Sequence, residues 1–210
     1  MSTDKLIYII RHGETDLNRR HIVQGSGVDS SLNEKGRAQA AAFHARYHSE
    51  PFEAVLTSTL RRTHETAAPF IESGLDWEQH PEINEICWGD AEGKAGTEAS
   101  RAAYAAMVAA WSRGELDHRL PNAESARELG ARVQRFVDAL RDRTESVLLV
   151  VAHGRLMRAL ICALEGRPLT GMEDYRHANT GLYLVRQRGA DFEVVLRNDV
   201  QHLENLPAYE

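Results

Sequence analysis

Two histidines, His12 and His153, each follow a short apolar run and precede a glycine, in residues 11–13 and 153–155. Both segments also contain an arginine, and a third apolar run is followed by residues 58–62, which contain two adjacent arginines. A neutral imidazole can act as a nucleophile, and a guanidinium presents a planar set of N–H donors that matches an oxyanion. These segments therefore predict chemistry on a small anion.

The apolar runs that precede these segments are predicted β-strands. Residues 6–10, 54–57 and 147–152 are apolar on both alternating faces, which is typical of parallel strands covered on both sides. In an open α/β sheet, ligands bind at the carboxyl ends of the strands. If the three strands are neighbours, one pocket collects all three polar segments.

Helical patterns lie between the predicted strands. One helix is expected from an Asn33 cap to Tyr47, and a second from near Thr59 to before Gly74. A third, capped by Asn122 or a neighbour, has an apolar stripe at a spacing of three and four residues. The first helix is expected to bury the alanines on one of its faces, namely Ala38, Ala41, Ala42 and Ala45.

The remaining chain contains an alanine-rich segment, residues 99–111, within a predicted insertion at about residues 90–120. Residues 183–196 have the pattern of a terminal hairpin. We therefore expect a three-layer α/β/α fold with a mostly parallel central sheet and a small inserted helical cap. No repeat or linker divides the chain, so residues 1–210 are predicted to form a single domain.

The composition limits the classes of partner. The 210 residues include 25 Lys or Arg and 31 Asp or Glu, so the net charge is −6, which argues against a nucleic acid. The apolar runs fall far below the ~20 residues of a membrane helix, so no membrane partner is expected. Cys87 and Cys162 are too few for a disulfide framework. We expect a cytoplasmic protein, and a homodimer is compatible with the sequence.

Six segments form a wider pattern in chain order. They are RHGETDLN at 11–18, STLRRTHETA at 58–67, INEICWGDAEG at 83–93, PNAES at 121–125, VAHG at 151–154 and NT at 179–180. Together these motifs resemble those of the histidine phosphatase, or phosphoglycerate mutase-like, superfamily. The resemblance covers most of the chain.

The resemblance implies that a phosphoryl group is transferred through a covalent phosphohistidine. On this pattern His12 is the nucleophile, and Glu85 is the proton donor to the leaving group and later the base that activates water. Arg11, Arg62 and His153 bind the phosphoryl group, with His153 acting as a hydrogen-bond donor. An acceptor that holds the other nitrogen of the nucleophile in one tautomer is also required.

Four further residues are predicted to contact phosphate or substrate. Asn18 can contribute an amide donor, and Gln24 and Gly25 continue the first motif. Arg155 stands where relatives commonly have a small residue, and we expect it either to recognise a second negative group on the substrate or to be a surface arginine at a helix start.

Two assignments have alternatives in the sequence. Arg61 adjoins Arg62 and could be the pocket arginine; Arg62 is favoured because it stands four residues after Ser58, as the motif requires. Glu85 could be an ordinary surface carboxylate, the commonest position for glutamate. Only the tryptophan and glycine that follow it closely favour a catalytic role.

Within this family the sequence favours a metal-independent histidine acid-type phosphatase that acts on a small phosphorylated metabolite and needs no cofactor. Cofactor-dependent mutases usually carry a Glu-Arg-x-Tyr-Gly segment, whereas residues 85–89 read EICWG. His44 and His48 have a ligand-like spacing but lack the intervening glutamate of a zinc motif, so no metal site is expected. The alternatives are mutase-type phosphoryl transfer and a catalytically inactive phosphoryl-binding module.

Overall fold

The computed structural model, which describes residues 4–204 and 206, is built around a six-stranded sheet. The strands are β1 (Lys5–Arg11), β2 (Ala54–Thr57), β3 (Asp76–Gln79), β4 (Val147–Ala152), β5 (Leu182–Arg188) and β6 (Asp191–Asp199), arranged in the order β3-β2-β4-β1-β5-β6. The first four strands run parallel to one another, and β5 and β6 add an antiparallel hairpin. The sheet is mostly parallel, as predicted.

Both faces of the central strands are buried. In β1, Ile7 and Ile9 join one hydrophobic core, while Tyr8 and Ile10 join a second core on the opposite face. The residues of β4 alternate between the same two cores. Because successive side chains in a strand point to opposite faces, two covered faces require a continuous apolar run.

Helices form the two outer layers. A short helix α1 (Asp16–Arg19) follows β1, and α2 (Glu34–Tyr47) and α3 (Arg61–Glu72) pack on one face of the sheet. The opposite face is covered by α5 (Ala126–Asp142) and α6 (Gly154–Leu164). The fold is therefore the predicted three-layer α/β/α arrangement.

Two details of the helices differ from the prediction. In α2 the exposed alanines include Ala41 and Ala45, and the buried face carries Ala40 and Phe43 instead, which places the large aromatic ring of Phe43 in the core. The cap of α5 is Ser125 rather than Asn122.

Ser125 forms a capping box with Glu128. The Ser125 hydroxyl accepts from the Glu128 N–H at 3.2 Å, and the Glu128 carboxylate accepts from the Ser125 N–H at 2.8 Å. Two otherwise unpaired helix N–H groups are satisfied in this way. Asn122 lies in the preceding loop with a left-handed φ of 58°.

The edge strand β3 was not predicted. Its residues, including Trp77 at 39% exposure, lie largely in solvent. An edge strand beside β2 pairs on one side only and needs no continuous apolar run, so its sequence carries no strong strand signal.

The segment between β3 and α5 contains α4 (Glu98–Ser112). Its C-terminal half buries Met107, Ala110 and Trp111, and its N-terminal half is largely exposed. No helix within residues 4–204 and 206 combines the length and apolarity that a bilayer crossing requires.

Candidate active site

Three neighbouring strands, β2, β4 and β1, end at one edge of the sheet, and the residues that follow them are Ser58, His153 and His12. The register of β1 and β4 pairs Arg11 with Ala152. The two histidines, each one residue beyond its strand, therefore lie side by side. Their ring centroids are 5.3 Å apart, and both rings are buried. The strand order therefore brings together the polar segments that the sequence predicts to meet.

His12 is held in one tautomer by the residue that follows it. Its Nδ1 lies 2.7 Å from the Gly13 carbonyl oxygen, and because a carbonyl can only accept, Nδ1 carries the hydrogen and Nε2 keeps a lone pair. Burial, and then the positive charges of Arg62 and Arg11, hold the pKa of His12 well below the ordinary 6.5. The Gly13 carbonyl is thus the acceptor that the sequence could not name.

Arg62 is the buried arginine of the pocket, and Arg61 is exposed. The Arg62 guanidinium makes three hydrogen bonds within the protein. Its Nε donates to His153 Nδ1 at 3.1 Å, its Nη1 to the Val28 carbonyl at 2.7 Å, and its Nη2 to the Gly25 carbonyl at 3.2 Å. A guanidinium has five N–H hydrogens, so two remain for an oxyanion. The structure decides between the two adjacent arginines in favour of Arg62.

Arg11 is anchored at one end only. Its Nη1 donates to the His177 carbonyl at 3.2 Å, whereas its buried Nε has no acceptor within residues 4–204 and 206. Burial, together with the charge of Arg62 and against the opposing charge of Glu85, lowers the pKa of Arg11 to about 10. The group is still a cation at neutral pH. Incompletely paired guanidinium groups beside a neutral imidazole form an anion-binding arrangement.

Glu85 is a buried carboxylate at the start of α6. Its Oε1 accepts from the Ile86 and Leu156 N–H groups, both at 2.9 Å, and its Oε2 accepts from the Arg155 N–H at 3.0 Å. Two of these donors belong to the first turn of α6, directly after His153. The surface position that was the alternative for Glu85 is therefore wrong.

His153 takes part in a chain of hydrogen bonds within the protein. Its Nδ1 accepts from Arg62 Nε, so Nε2 carries the hydrogen and donates to Ser58 Oγ at 2.7 Å. Ser58 then donates to Thr63 Oγ1 at 2.9 Å, and Thr63 to the Leu60 carbonyl at 2.7 Å. Burial, followed by the Arg62 charge, holds the pKa of His153 well below 6.5.

This arrangement differs from the predicted role of His153 as a donor to the phosphoryl group. Its single N–H donates to Ser58, and its other nitrogen accepts from Arg62. The ring therefore orients the pocket arginine.

Asn18 lies at the mouth of the site. Its side-chain oxygen accepts from the Thr15 N–H at 3.2 Å, which leaves its NH₂ end as the donor available to the cavity that Arg11, Asn18 and Asn179 line together. Asn179 donates from Nδ2 to the His12 carbonyl at 2.9 Å and so holds the backbone of His12 in place.

Gln24 and Gly25 lie in a supporting position rather than in the predicted contact with substrate. Gln24 donates to Thr15 Oγ1 at 2.7 Å and accepts from Ser30 Oγ at 2.5 Å, so both ends of its amide are engaged. The Gly25 carbonyl accepts from Arg62. The two residues shape the loop that holds the pocket arginine.

Arg155 is buried and neither faces the phosphoryl site nor lies at the surface. Its guanidinium is hydrogen-bonded to Glu173 and to the Tyr104 hydroxyl. It also lies 6.0, 5.8 and 5.6 Å from the ring centroids of Trp88, Tyr104 and Trp111, in cation–π range. Arg155 thus links α6 to α4.

The glycine after each histidine is required by close packing. A Cβ at Gly13 would lie 2.5 Å from the Gly36 carbonyl oxygen, and one at Gly154 would lie 2.9 Å from the His177 ring. His177 was not predicted, because no motif surrounds it. Burial and the Arg11 charge lower the pKa of His177 to about 3, so the ring packs as a neutral group.

Comparisons with known proteins agree on a single family. The model described as "Histidine phosphatase superfamily (branch 1)" matches residues 7–200. A 2,3-bisphosphoglycerate-dependent phosphoglycerate mutase of Bartonella henselae is 33% identical over 175 residues, which cover 78% of this chain and 82% of that protein.

Solved structures give the same result. The alpha-ribazole phosphatase from Shigella flexneri is similar with a TM-score of 0.81 and 26% identity, covering 92% of this chain and 96% of that one. Bacillus stearothermophilus YhfR is similar with a TM-score of 0.83 and 29% identity, covering 95% of this chain and 100% of that one.

His12 should remain neutral at pH 6. Its pKa lies well below 6.5 because burial and two guanidinium groups disfavour the imidazolium, so acidification from pH 7 to pH 6 adds no proton. Long-range ¹⁵N–¹H NMR of histidine-labelled protein checks this, with His12 assigned through His12→Asn. We expect a neutral Nδ1–H ring; an imidazolium or an Nε2–H ring at pH 6 contradicts the assignment.

Ser58→Ala should reduce stability and turnover together. The change leaves the buried His153 N–H without an acceptor, at a cost of about 1–3 kcal/mol in the free energy of unfolding. Because the His153 ring that orients Arg62 then loses its own anchor, kcat should fall about tenfold with little change in KM. Urea unfolding and steady-state kinetics measure both, with Ser73→Ala, at the C-cap of α3, as control. An unchanged kcat would contradict the proposed role of Ser58 in positioning Arg62 through His153.

Arg155→Ala should weaken the attachment of α4 to α6. Removing one partner of a buried ion pair costs up to about 3–5 kcal/mol, and less here because Glu173 is 40% exposed. Activity on singly and doubly anionic phosphomonoesters should fall by the same factor. The exposed Arg113→Ala is the control. A loss of activity confined to doubly anionic substrates would instead support the hypothesis that Arg155 recognises a second negative group on the substrate.

Proposed function

The chain belongs to the histidine phosphatase superfamily, and from that premise we propose that it is a phosphomonoester hydrolase acting through a phosphohistidine on His12. Its substrate is a small phosphorylated metabolite. One observation carries the proposal: the Gly13 carbonyl holds the hydrogen of His12 on Nδ1 at 2.7 Å. The lone pair on Nε2 is thereby kept beside the guanidinium groups of Arg11 and Arg62.

In the first step, His12 Nε2 attacks phosphorus, a P–N bond forms and the P–O bond to the alcohol breaks. Charge on the phosphoryl oxygens is stabilised by Arg11, by the amide of Asn18, and by the two N–H hydrogens of Arg62 that are not donated to protein acceptors. The neutral tautomer is essential because an imidazolium has no lone pair to donate.

Glu85 supplies the proton that the leaving alkoxide takes. Its Oε1 accepts two backbone N–H groups and its Oε2 only one, so Oε2 has the lone pair that can carry the proton. In the second step the carboxylate removes a proton from water, whose oxygen attacks phosphorus. The P–N bond breaks, phosphate leaves, and His12 and Glu85 return to their starting states.

Phosphoglycerate mutase activity is the second candidate, favoured by the 33% identity to the Bartonella henselae mutase. Its first step is the same, but the phosphoryl group then passes to the hydroxyl of a phosphoglycerate instead of water. Hydrolysis is favoured by the EICWG segment, which lacks the arginine and tyrosine usual around the mutase carboxylate.

The proposal is tested by trapping the intermediate. The enzyme, kept in EDTA, should hydrolyse p-nitrophenyl phosphate, and ³²P-labelled substrate should leave about one acid-labile, base-stable phosphate per chain after rapid quenching. His12→Ala should abolish labelling and lower kcat by about 10³-fold or more, whereas the exposed His48→Ala should change neither.

Three outcomes would contradict the proposal. Activity lost in EDTA and restored by a divalent ion would contradict metal independence. Interconversion of phosphoglycerates primed by 2,3-bisphosphoglycerate, faster than phosphate release, would assign the mutase reaction. A folded protein that binds phosphate without turning over any phosphomonoester would be an inactive binding module.

A further inference from the structure

A cavity of about 700 Å³ lies between the loop that follows α1 and the segment that contains α4. Its walls are formed mainly by apolar and aromatic side chains, namely Val23, Trp88, Ala91, Tyr104, Leu120 and Pro121. The phosphoryl chemistry described above uses none of them. A volume of this size is typical of a pocket that encloses a small organic ligand.

The cavity adjoins the mouth of the active site. Arg11, which lies beside the nucleophile, lines that mouth together with His21, Val23 and Tyr104. The same three residues, His21, Val23 and Tyr104, also line the apolar cavity. The apolar space is therefore within reach of a molecule whose phosphoryl group lies beside Arg11, past these three shared residues.

The walls are held in place by the fold. Ile22 pairs with Ala95 in an isolated bridge, and the Gly93 N–H donates to the Val23 carbonyl at 2.9 Å. These two backbone contacts tie the loop after α1 to the segment opposite. The cavity is consequently preformed, and a ligand does not have to order it.

The aromatic walls present their rings rather than polar atoms. The hydroxyl of Tyr104 is engaged by the guanidinium of Arg155, and the Trp88 ring stacks on Trp111 at 6.4 Å. Two of the charged residues that line the cavity are engaged within the protein: Asp90 accepts from Asn122 at 3.0 Å, and Arg101 donates to the Gly96 carbonyl at 2.8 Å. Against the apolar part of this wall, a polyol would lose hydration without gaining partners.

We propose that this cavity binds the alcohol part of the substrate, and that the enzyme acts on phosphomonoesters of apolar, alkyl or aromatic alcohols. The inference rests on the proposed function, because it assigns the substrate class of the same site. The phosphoryl group occupies the site formed by Arg11 and Arg62, and the apolar group lies against Trp88 and Tyr104.

Straight-chain alkyl phosphates from ethyl to octyl test the inference. Their leaving alcohols have nearly the same acidity, so differences in rate report binding rather than chemistry. We expect kcat/KM to rise about two- to fourfold per methylene until the cavity is filled, mainly through KM, because the contact is equally strong in ground and transition states.

Two variants of α4 provide a matched pair. Ala103 is exposed and lines the cavity, and Ala102 is exposed on the same helix but does not line it. Ala103→Trp should fill the space and lower kcat/KM for octyl phosphate at least about tenfold, leaving ethyl phosphate within twofold. Ala102→Trp should behave as wild type for both.

A flat dependence on chain length in the wild type, or equal effects of the two variants, would overturn the inference. Octylphosphonate, which cannot be hydrolysed, separates it from the proposed function. If no phosphomonoester is turned over, the proposed function fails. Calorimetry with octylphosphonate then still tests whether the cavity binds an alkyl group. Binding that Ala103→Trp weakens and Ala102→Trp does not supports the site; equal binding by all three proteins excludes it.

Discussion

The site is organised around two guanidinium groups beside a neutral imidazole: that of Arg62, which is buried, and that of Arg11, which is half-buried. Burial of a cation is costly unless it is hydrogen-bonded, and the fold supplies main-chain carbonyls for this purpose. Arg62 donates to the carbonyls of Val28 and Gly25, and Arg11 donates to that of His177. These bonds use only part of each guanidinium, so the remaining donors can bind an oxyanion.

The two histidines follow the same strand-and-glycine pattern but take opposite tautomers. His12 has its hydrogen on Nδ1 because a carbonyl accepts it, and His153 has its hydrogen on Nε2 because Arg62 donates to Nδ1. One ring thus retains a lone pair on Nε2, and the other orients an arginine. The division of roles comes from the neighbours of each ring rather than from its local sequence.

The start of α6 connects the site to the apolar cavity. The N–H of Arg155 holds the Glu85 carboxylate, and its side chain contacts Trp88 and Tyr104 in the wall of the cavity. One residue therefore positions both the carboxylate and the surface against which an alcohol group would lie.

Five of the six strands, the polar residues that follow them and the family could be predicted from the sequence, because side-chain alternation and short motifs are local properties. The sequence also favoured Arg62 over its neighbour. The inward direction of Arg155, the packing of His177, the tautomer of His153 and the edge strand β3 became apparent in the folded chain. Each depends on partners far away in the chain, as in the hydrogen bond that joins Ser58 to His153 across 95 positions, and such partners are chosen by packing.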